Sequence, residues 1–236
     1  MPHSPRVAAR LLFVFAKEPR PGSVKTRMCP PLSAEQAARC HTAFLGDLLA
    51  RVKDGADAHV VLAATPDRSA PILAAVAKEH SIELATQGPG DLGTRMTAAF
   101  ERAGRERADA VVIGSDSPDL PMEFIESAFH AVAAGPVVLG PSDDGGFYLI
   151  GRRPGTGLVL EGIPWGGPSV LEETLARARA TKLSVRLLPW WYDVDDAAGL
   201  SRLALRLRVA RATEAATKLP RTTCLIDELT GEGIEI

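Results

Sequence analysis

The stretch AVVIGSDSPDLP, residues 110–121, decides the fold. Its first part, residues 110–116, is a nearly continuous apolar run with β-branched side chains, which is typical of a strand buried on both faces. The prolines and aspartates of residues 117–121 predict a turn, and the pattern after it predicts a helix over residues 122–133. A buried strand that passes through a turn into a helix is the repeating unit of a parallel α/β sheet.

The same alternation of strands and helices continues along the chain. Apolar runs predict further strands at residues 11–16, 59–65, 82–87, 136–142, 147–151 and 185–190. Helical patterns predict helices at residues 33–53, 69–79, from about 91, 168–180 and 196–218. We therefore predict one α/β domain over residues 1–236, with a core over about 11–211, a mostly parallel sheet and helices on both faces. The turn DDGG (143–146) predicts a small antiparallel insert, and the tail 220–236 carries few structural signals.

Composition and charge exclude several classes of protein. The 236 residues carry a formal net charge of −2, so the chain lacks the basic surface of a nucleic-acid-binding protein. No apolar run reaches the roughly 18 residues of a membrane span, and we expect a cytoplasmic protein without membrane partners. The three cysteines form no C-x-x-C pair, so we expect neither a disulfide framework nor a zinc site. We expect surface or core positions for the histidines, which lack metal-ligand spacing: His3, His41, His59, His80 and His130.

A basic loop, KEPRPGSVKTR (17–27), follows the first predicted strand. Ligands of open α/β sheets bind beyond the carboxyl ends of the strands, so side chains directly after strands are candidates. Lysine and arginine neutralise phosphate charge, and a glycine lets the backbone approach a ligand closely. The loop therefore predicts a nucleotide-phosphate site, with a solvated basic turn as the alternative. Its candidate residues are Lys17, Gly22, Lys25, Thr26 and Arg27.

Carboxylates follow the other predicted strands. Asp116 ends the decisive strand, and Asp193 and Asp195 lie two residues apart after the last one, where an extended chain points them the same way. Carboxylate oxygens suit Mg²⁺ and Mn²⁺, and a metal bridged to a diphosphate stabilises the charge of the leaving group. We therefore predict Asp116, Asp195 and Asp193 as ligands of Mg²⁺ or Mn²⁺. For Asp119 a turn or cap is the alternative, and a helix N-cap explains Asp196 better.

The glycine-rich loop QGPGDLG (87–93) is a candidate for binding the base or ribose. Asp91 and Arg95 lie four residues apart at the start of a predicted helix and can instead pair with each other. The candidate nucleotide-binding residues of this region are Gln87, Gly88, Asp91 and Arg95.

The DDGG turn is a candidate acceptor site. Asp143 and Asp144 fit a simple turn or a site that reads acceptor hydroxyls, and one of them is the candidate general base. Trp165 fits a stacking platform for a sugar or ordinary core packing. The candidate acceptor-binding residues are Gly145, Gly146, Tyr148 and Trp165.

Six motifs in this order resemble one known bacterial family. They are FAKEPRPGSVKTR, GDLGTRM, GSDSPDLP, GPSDDGGFYLIG, IPWGGPSVLEETL and YDVDD, and they span residues 11–205. The family is that of the radical-SAM/selenodomain-associated transferases, also described as arsenosugar-biosynthesis glycosyltransferases. The resemblance implies a Rossmann-like GT-A fold, that of the nucleotide-diphospho-sugar transferases, with an aspartate pair and a divalent metal. It gives Asp116 the role of the metal aspartate and residues 17–27 that of the nucleotide-phosphate loop.

The chain departs from this family at three places. Gly166 and Gly167 stand where the family usually has Ser-Thr, so two hydroxyls near the acceptor or a helix start are missing. Asp196 and Ala197 replace the usual Thr-Pro, and Phe147 stands where Tyr is common. None of these changes removes a predicted metal ligand.

Three functions fit this set of residues. The first is glycosyl transfer from a nucleotide-diphospho-sugar to a small-molecule acceptor. The second is nucleotidyl transfer from a nucleoside triphosphate, because VKTR, DSPDLP and DVDD also resemble the guanylyltransferases of F420 synthesis and, more distantly, the molybdenum-cofactor nucleotidyltransferases. There Lys25 and Arg27 hold the outer phosphates. The third is nucleotide binding without catalysis.

The apolar positions of the closing helix fit either the core or a homodimer face: Leu200, Leu203 and Leu207.

Overall fold

The computed structural model describes residues 9–213 and 218–236. Seven strands form one sheet: β1 (Ala9–Lys17), β2 (His59–Thr65), β3 (Glu83–Thr86), β4 (Ala108–Gly114), β5 (Val137–Pro141), β6 (Phe147–Arg152) and β7 (Val185–Leu187). Seven α-helices surround it: α1 (Ala34–Gly55), α2 (Pro71–Glu79), α3 (Leu92–Glu106), α4 (Met122–Ala133), α5 (Val170–Ala180), α6 (Ala197–Ala212) and α7 (Pro220–Gly231). All seven predicted strands are present. The predicted end of the closing helix at 214–217 lies outside the described residues.

The strand order across the sheet is β3-β2-β1-β4-β6-β5-β7. All neighbours are parallel except β6, which runs antiparallel to both β4 and β5. The predicted antiparallel insert is therefore confirmed, and the α/β fold with it. The chain builds outward from β1 to β3 and then returns to place β4 on the other side of β1. This reversal creates a crevice at the carboxyl ends of β1 and β4, where open α/β sheets bind their ligands.

Both faces of the central strands are buried, as their unbroken apolar runs predict. One face of β1, with Leu12 and Val14, packs under α1, α2 and α4. The other face, with Leu11 and Phe13, packs under α3 and α5. Burial on both faces explains why β1 and β4 read as continuous apolar runs rather than as alternating ones.

A third apolar cluster lies on the far side of α1, where α6 and α7 pack. Of the two alternatives for the closing helix, the structure shows the core, because the side chains of Leu200, Leu203 and Leu207 are buried in this cluster. That burial removes them from any dimer face. Within residues 9–213 and 218–236, no helix combines the length and the apolar character needed to cross a bilayer.

The tail forms helix α7, although its sequence carries few local signals. Its first turn is capped from far away in the chain, because the buried carboxylate of Asp47 in α1 accepts hydrogen bonds from the backbone N–H groups of Arg221 (3.2 Å) and Thr222 (2.8 Å). Free N–H groups at a helix start need such an acceptor. Asp47 therefore fixes the position of α7 against α1.

Candidate active site

The side chain of Lys25 lies between two carboxylates at the crevice of the sheet. Its ammonium contacts Asp116 Oδ1 and donates to Asp195 Oδ1 at 2.7 Å. Arg27 adds a second contact to Asp195, with 3.0 Å between Nη2 and Oδ2. The first loop, the end of β4 and the DVDD segment thus supply one group each. The structure brings together predicted residues that are up to 170 positions apart.

Backbone contacts hold the DVDD segment against the end of β4. The N–H of Val194 donates to the carbonyl oxygen of Asp116 at 2.8 Å. The hydroxyl of Ser117 donates to the carbonyl oxygen of Tyr192 at 2.9 Å, or to Asp193 Oδ1 at 2.8 Å. Asp195 and Asp116 are therefore set side by side by hydrogen bonds that involve neither of their carboxylates.

Lys25 is held almost out of contact with water. Its side chain is 3% exposed, whereas those of Asp116 and Asp195 are 39% and 34% exposed. Burial acts to lower the pKa of Lys25, but the charges and hydrogen bonds of the two carboxylates outweigh it and raise that pKa. Burial likewise acts to raise the pKa of Asp116, and the charge of Lys25 outweighs it, so this pKa is lowered. The Lys25 ammonium and the Asp116 carboxylate are therefore charged together.

Asp193 differs in its environment from Asp116 and Asp195. Burial, together with the negative charges of Asp116, Asp195 and Asp144, raises the pKa of Asp193 to about 7, against the lowering effect of the Ser117 hydrogen bond. A carboxyl group that is partly protonated near neutrality is a weaker cation ligand than its neighbours. Asp116 and Asp195 are therefore the better candidate pair, and Asp193 stays third.

His41 in α1 also faces this site, although its sequence context predicted only a surface or core position. Its side chain is 4% exposed, and Nδ1 lies 3.7 Å from Asp116 Oδ1. Burial lowers the pKa of His41, and the charge of Asp116 only partly opposes this. The one signal in the sequence is position, because His41 lies within the apolar stripe of α1 between Ala37 and Phe44.

These groups suit a divalent cation in chemistry, although they are not arranged as a finished metal site. Among the described residues, no group of three or more His, Cys, Asp or Glu side chains has that arrangement. Instead the Lys25 ammonium lies between the Asp116 and Asp195 carboxylates. One cation already bridges the two carboxylates, and their oxygens are the donors that Mg²⁺ and Mn²⁺ accept.

The basic loop continues around the ammonium. Lys17 is exposed, and its Nζ donates to the carbonyl oxygen of Ser23 at 2.8 Å. Gly22 turns the loop with a φ of +73°, and Thr26 begins a short 3₁₀ helix that carries Arg27. The side chain of Arg27 is 66% exposed, so it can reach a ligand above the carboxylates.

The candidates of the glycine-rich loop lie at the ends of β1, β2 and β3. The amide nitrogen of Gln87 donates to the carbonyl oxygens of Ala16 (3.2 Å) and Ala63 (2.8 Å), so this side chain ties strands together. Arg95 donates from Nε to the Gly90 carbonyl oxygen at 2.9 Å and from Nη1 to Thr65 Oγ1 at 3.2 Å.

Asp91 is the N-cap of α3, because its Oδ1 accepts from the Thr94 N–H at 2.8 Å. The alternative that Asp91 pairs with Arg95 is not what the hydrogen bonds show, since each has other partners. Gly88 has a φ of +90° and open space around its Cα.

The DDGG turn joins β5 to β6 on the other side of the crevice. Asp144 Oδ1 accepts from the Ser142 hydroxyl (2.5 Å) and from the Gly146 N–H (2.9 Å). Asp143 is 57% exposed and pairs with Arg202 at 2.9 Å. Gly145 has a φ of +86°, and a Cβ there would collide with the Pro168 carbonyl oxygen. The turn therefore packs tightly against the segment that leads into α5.

The two aromatic acceptor candidates are packed in the protein. Tyr148 is 4% exposed, and its hydroxyl donates to the Pro189 carbonyl oxygen at 3.0 Å. Trp165 packs edge-to-face against Phe147, with 6.1 Å between ring centroids, and lies over Gly93 at the start of α3. These contacts account for Tyr148 without a ligand, whereas the buried indole nitrogen of Trp165 has no hydrogen-bond partner among the described residues.

The two aspartates with structural alternatives have structural partners. Asp119 Oδ2 accepts from the Tyr192 hydroxyl (2.7 Å) and from Arg206 Nε (2.8 Å), which ties α6 to the loop after β4. Asp196 caps α6 through the Gly199 N–H at 2.8 Å, as predicted.

The comparisons with known proteins place the chain in a family and agree with its fold. A protein-family model described as an uncharacterized protein conserved in bacteria, DUF2064, matches residues 48–167. The chain belongs to the DUF2064 family. The matched segment contains Asp116 and the DDGG turn, whereas the basic loop and the DVDD segment lie outside it. None of the curated proteins compared with this DUF2064 chain matches it.

Solved structures share the fold of this DUF2064 protein. A protein of Desulfovibrio desulfuricans G20, provisionally assigned as a nucleotide-diphospho-sugar transferase, is 30% identical with a TM-score of 0.82, over 94% of this chain and 95% of that one. A cytidylyltransferase of Leptospira borgpetersenii is 12% identical with a TM-score of 0.55, over 96% and 95%. Rv0371c of Mycobacterium tuberculosis H37Rv in complex with manganese is 14% identical with a TM-score of 0.50, over 83% and 97%. The last two show the fold alone.

Proposed function

We propose that this protein is a metal-dependent glycosyltransferase that moves a sugar from a nucleotide-diphospho-sugar to a small-molecule acceptor. One observation carries the proposal: at the crevice between β1 and β4, beside a basic loop, the carboxylates of Asp116 and Asp195 hold the ammonium of Lys25 between them. A metal–diphosphate substrate needs carboxylates for its metal and cations for its phosphates. The name of the Desulfovibrio desulfuricans protein supports this substrate class, since that protein is similar over nearly the whole chain.

Asp116 and Asp195 are the proposed ligands of Mg²⁺ or Mn²⁺, with Asp193 next. Their oxygens already hold the ammonium of Lys25, and both side chains keep about a third of their surface exposed at the crevice. When bound, the divalent cation supplies neutralisation of the charge that builds on the departing diphosphate. Arg27 lies beside it and can take a phosphate in a bidentate contact.

Lys25 has two positions in this proposal. Without substrate, its ammonium lies between the carboxylates. With a nucleotide present, the same ammonium turns to the phosphate oxygens, where Lys17 and Arg27 add further positive charge. Gln87 and Arg95 keep the ends of β1 to β3 in place on the base and ribose side.

Asp144 is the proposed general base. Its charge acts on Asp193, so it lies near the carboxylate cluster, and both of its described hydrogen bonds use Oδ1. Asp143 is instead neutralised by Arg202. In the reaction the acceptor oxygen forms a bond to the anomeric carbon. The bond from that carbon to the diphosphate breaks, the electron pair leaves on the diphosphate oxygen, and the proton passes to Asp144.

Nucleotidyl transfer is the second candidate, because a loop with four basic side chains also suits a triphosphate: Lys17, Arg20, Lys25 and Arg27. In this reaction a phosphorylated or phosphonate acceptor attacks the α-phosphorus, and pyrophosphate leaves. The cytidylyltransferase of Leptospira borgpetersenii shows that this fold accommodates such chemistry. The resemblance of six motifs to the radical-SAM/selenodomain-associated transferases favours glycosyl transfer and a small acceptor.

A thermal-shift screen with Mn²⁺ or Mg²⁺ tests the proposal. A ligand at 100 times its dissociation constant stabilises the folded protein by about 2.7 kcal/mol. We expect nucleotide sugars and nucleoside diphosphates to stabilise the protein at least as well as triphosphates, and Asp116→Asn to abolish the effect. Phosphate analysis of turnover then separates the candidates, because glycosyl transfer releases a nucleoside diphosphate and nucleotidyl transfer releases pyrophosphate. Stabilisation without turnover would leave only nucleotide binding.

A further inference from the structure

Helix α3 presents an exposed leucine at the crevice. Met96 and Phe100 lie four residues apart on α3, and both are buried against the sheet. Leu92 lies one turn before Met96 on the same face of the helix, yet it is 41% exposed. It is the first residue of α3, and helical side chains lean toward the N-terminus, so Leu92 extends past the carboxyl ends of the strands. Its exposed surface therefore borders the crevice.

Two aromatic rings continue this apolar surface toward the DDGG turn. Phe147 directly follows the turn, and its ring packs edge-to-face on Trp165 with 6.1 Å between centroids. Trp165 lies against Gly93, the neighbour of Leu92, because a Cβ on Gly93 would come within 3.0 Å of its Cζ2. Both rings are only partly buried. Leu92, Phe147 and Trp165 thus form one apolar wall, which runs from the start of α3 to the DDGG turn.

The polar groups beside the apolar wall are negative. Asp144 lies near enough to Asp193 for its negative charge to act on that carboxyl group. Two arginines on this side have partners among the described residues, since Arg202 pairs with Asp143 at 2.9 Å and Arg95 donates to a backbone carbonyl oxygen of the glycine-rich loop. The cations of the basic loop lie where the diphosphate is proposed to bind. An anionic acceptor would therefore meet like charge beside the apolar wall, and like-charge contacts oppose binding.

We propose that the acceptor of this transferase is an uncharged alcohol with an apolar body, which the apolar wall holds while the hydroxyl reaches Asp144. The inference rests on the proposed function, since it names the acceptor of the same site. Binding sites for such molecules are lined mainly by apolar and aromatic side chains, with a few polar groups that fix orientation. The acceptor oxygen bonds to the anomeric carbon, the bond from that carbon to the diphosphate breaks, and the proton passes to Asp144.

Two other classes of acceptor fit the crevice less well. A polyol would leave the apolar wall in contact with water and would gain little from burial. A phosphorylated alcohol would bring its charge close to Asp144 and Asp193, as would a carboxylate.

Competition between two matched pairs of alcohols tests the proposal. The full-length protein is supplied with Mn²⁺ and the nucleotide sugar that stabilises it best, and transfer is measured as product formed above donor hydrolysis. Benzyl alcohol is paired with hydroxymethylbenzoate, which adds a carboxylate to the same body. Glycerol is paired with glycerol phosphate. We expect kcat/KM for benzyl alcohol to exceed that for each of the other three at least about tenfold.

Substitutions of Leu92 test the apolar wall itself. Leu92→Lys adds an ammonium to it, so the preference for benzyl alcohol over hydroxymethylbenzoate should fall about tenfold. Leu92→Gln removes apolar surface without adding charge, so the preference for benzyl alcohol over glycerol should fall about fourfold, the effect of roughly one buried methylene group. Leu187→Lys is the matched control, because Leu187 is 49% exposed on β7 at the edge of the sheet, and both preferences should stay unchanged. Each variant is judged by a ratio, so a smaller folded fraction does not affect the result.

The outcomes separate the two proposals. Release of nucleoside diphosphate with a preference for glycerol or for either anionic probe overturns the apolar acceptor and leaves glycosyl transfer standing. The same holds if Leu92→Lys leaves the preference unchanged, or if the donor is hydrolysed and no probe accepts the sugar. Failure of every nucleotide sugar to bind overturns both proposals, as does release of pyrophosphate from a triphosphate with glycerol phosphate as acceptor.

Discussion

Replacing Lys25 by methionine tests whether the ammonium stands in for a metal. Methionine is unbranched and of similar length, so it keeps the buried packing of the side chain and removes only the charge. Asp116 and Asp195 then face each other without the cation between them. We expect the protein to fold with lower stability in EDTA and to regain that stability when Mn²⁺ is added.

The size of the effect follows from the burial of the three groups. Breaking a buried ion pair costs about 3 to 5 kcal/mol, because it leaves a charge uncompensated. Here the two carboxylates are 39% and 34% exposed, so water solvates part of their charge, and we expect a loss of about 2 kcal/mol. For a protein of this size that corresponds to a melting temperature lower by roughly 4 to 8 °C.

Urea unfolding measures the change with and without Mn²⁺. At 100 times its dissociation constant the metal adds about 2.7 kcal/mol, which more than restores the variant. In the wild type Mn²⁺ must first displace the ammonium, so it should stabilise that protein less. Lys17→Met is the matched control, because it removes the same charge from the same loop at an exposed lysine whose one hydrogen bond among the described residues goes to the Ser23 carbonyl oxygen. If Mn²⁺ stabilised Lys25→Met and the wild type equally, the idea that the metal and the Lys25 ammonium occupy the same place between Asp116 and Asp195 would be refuted.

Three further changes test other parts of the molecule. Asp116→Asn should abolish Mn²⁺-dependent nucleotide binding in isothermal titration while circular dichroism stays native, and unchanged affinity would remove Asp116 from the metal site. Tyr148→Phe should lower the free energy of unfolding in urea by about 1 kcal/mol, because the Pro189 carbonyl oxygen loses the hydroxyl that donates to it. Unchanged stability with slower transfer to the acceptor would instead place this hydroxyl in the acceptor site. Hydrogen bonds from Arg102, with smaller effects of His59, lower the pKa of Glu83 from 4.5 to about 2. The stabilisation from Glu83 is therefore complete above pH 4.5 and disappears as the pH falls toward 2. Glu83→Gln should be less stable than the wild type by about 1 kcal/mol at pH 7 and equally stable near pH 2. A stability difference that does not depend on pH would contradict this pairing.

The sheet was predictable because the local pattern and the tertiary environment agree. Strands β1 and β4 are apolar throughout because both of their faces are buried, and the sequence records this directly. The meeting of Lys25 with Asp116 was predictable to the level of one sheet edge, since both follow parallel strands. The bridge that the Lys25 ammonium makes between Asp116 and Asp195 was not predictable. It depends on the hydrogen bond from the Val194 N–H to the Asp116 carbonyl oxygen, which joins two distant segments.

The elements that sequence reasoning missed depend on partners far away in the chain. Helix α7 has no capping side chain of its own, and its cap, Asp47, lies 175 residues earlier. For His41 the sequence left a surface and a core position open, and its burial shows that the core position is the one adopted. Its orientation toward Asp116 is set by the carbonyl of Lys17 on another element, which no spacing within α1 encodes.

The cap that Asp47 provides for α7 also sets an order of events during protein synthesis. Asp47 leaves the ribosome 175 residues before Thr222. At about 5 to 20 residues per second, its carboxylate and the apolar face of α1 beside it wait roughly 10 to 35 s for the helix that covers them. Over that interval the nascent chain presents an uncovered apolar surface on the helix that carries His41. Chaperones that bind apolar segments can therefore contact α1 during this interval, and the contacts between α1 and α7 form only after translation has reached α7.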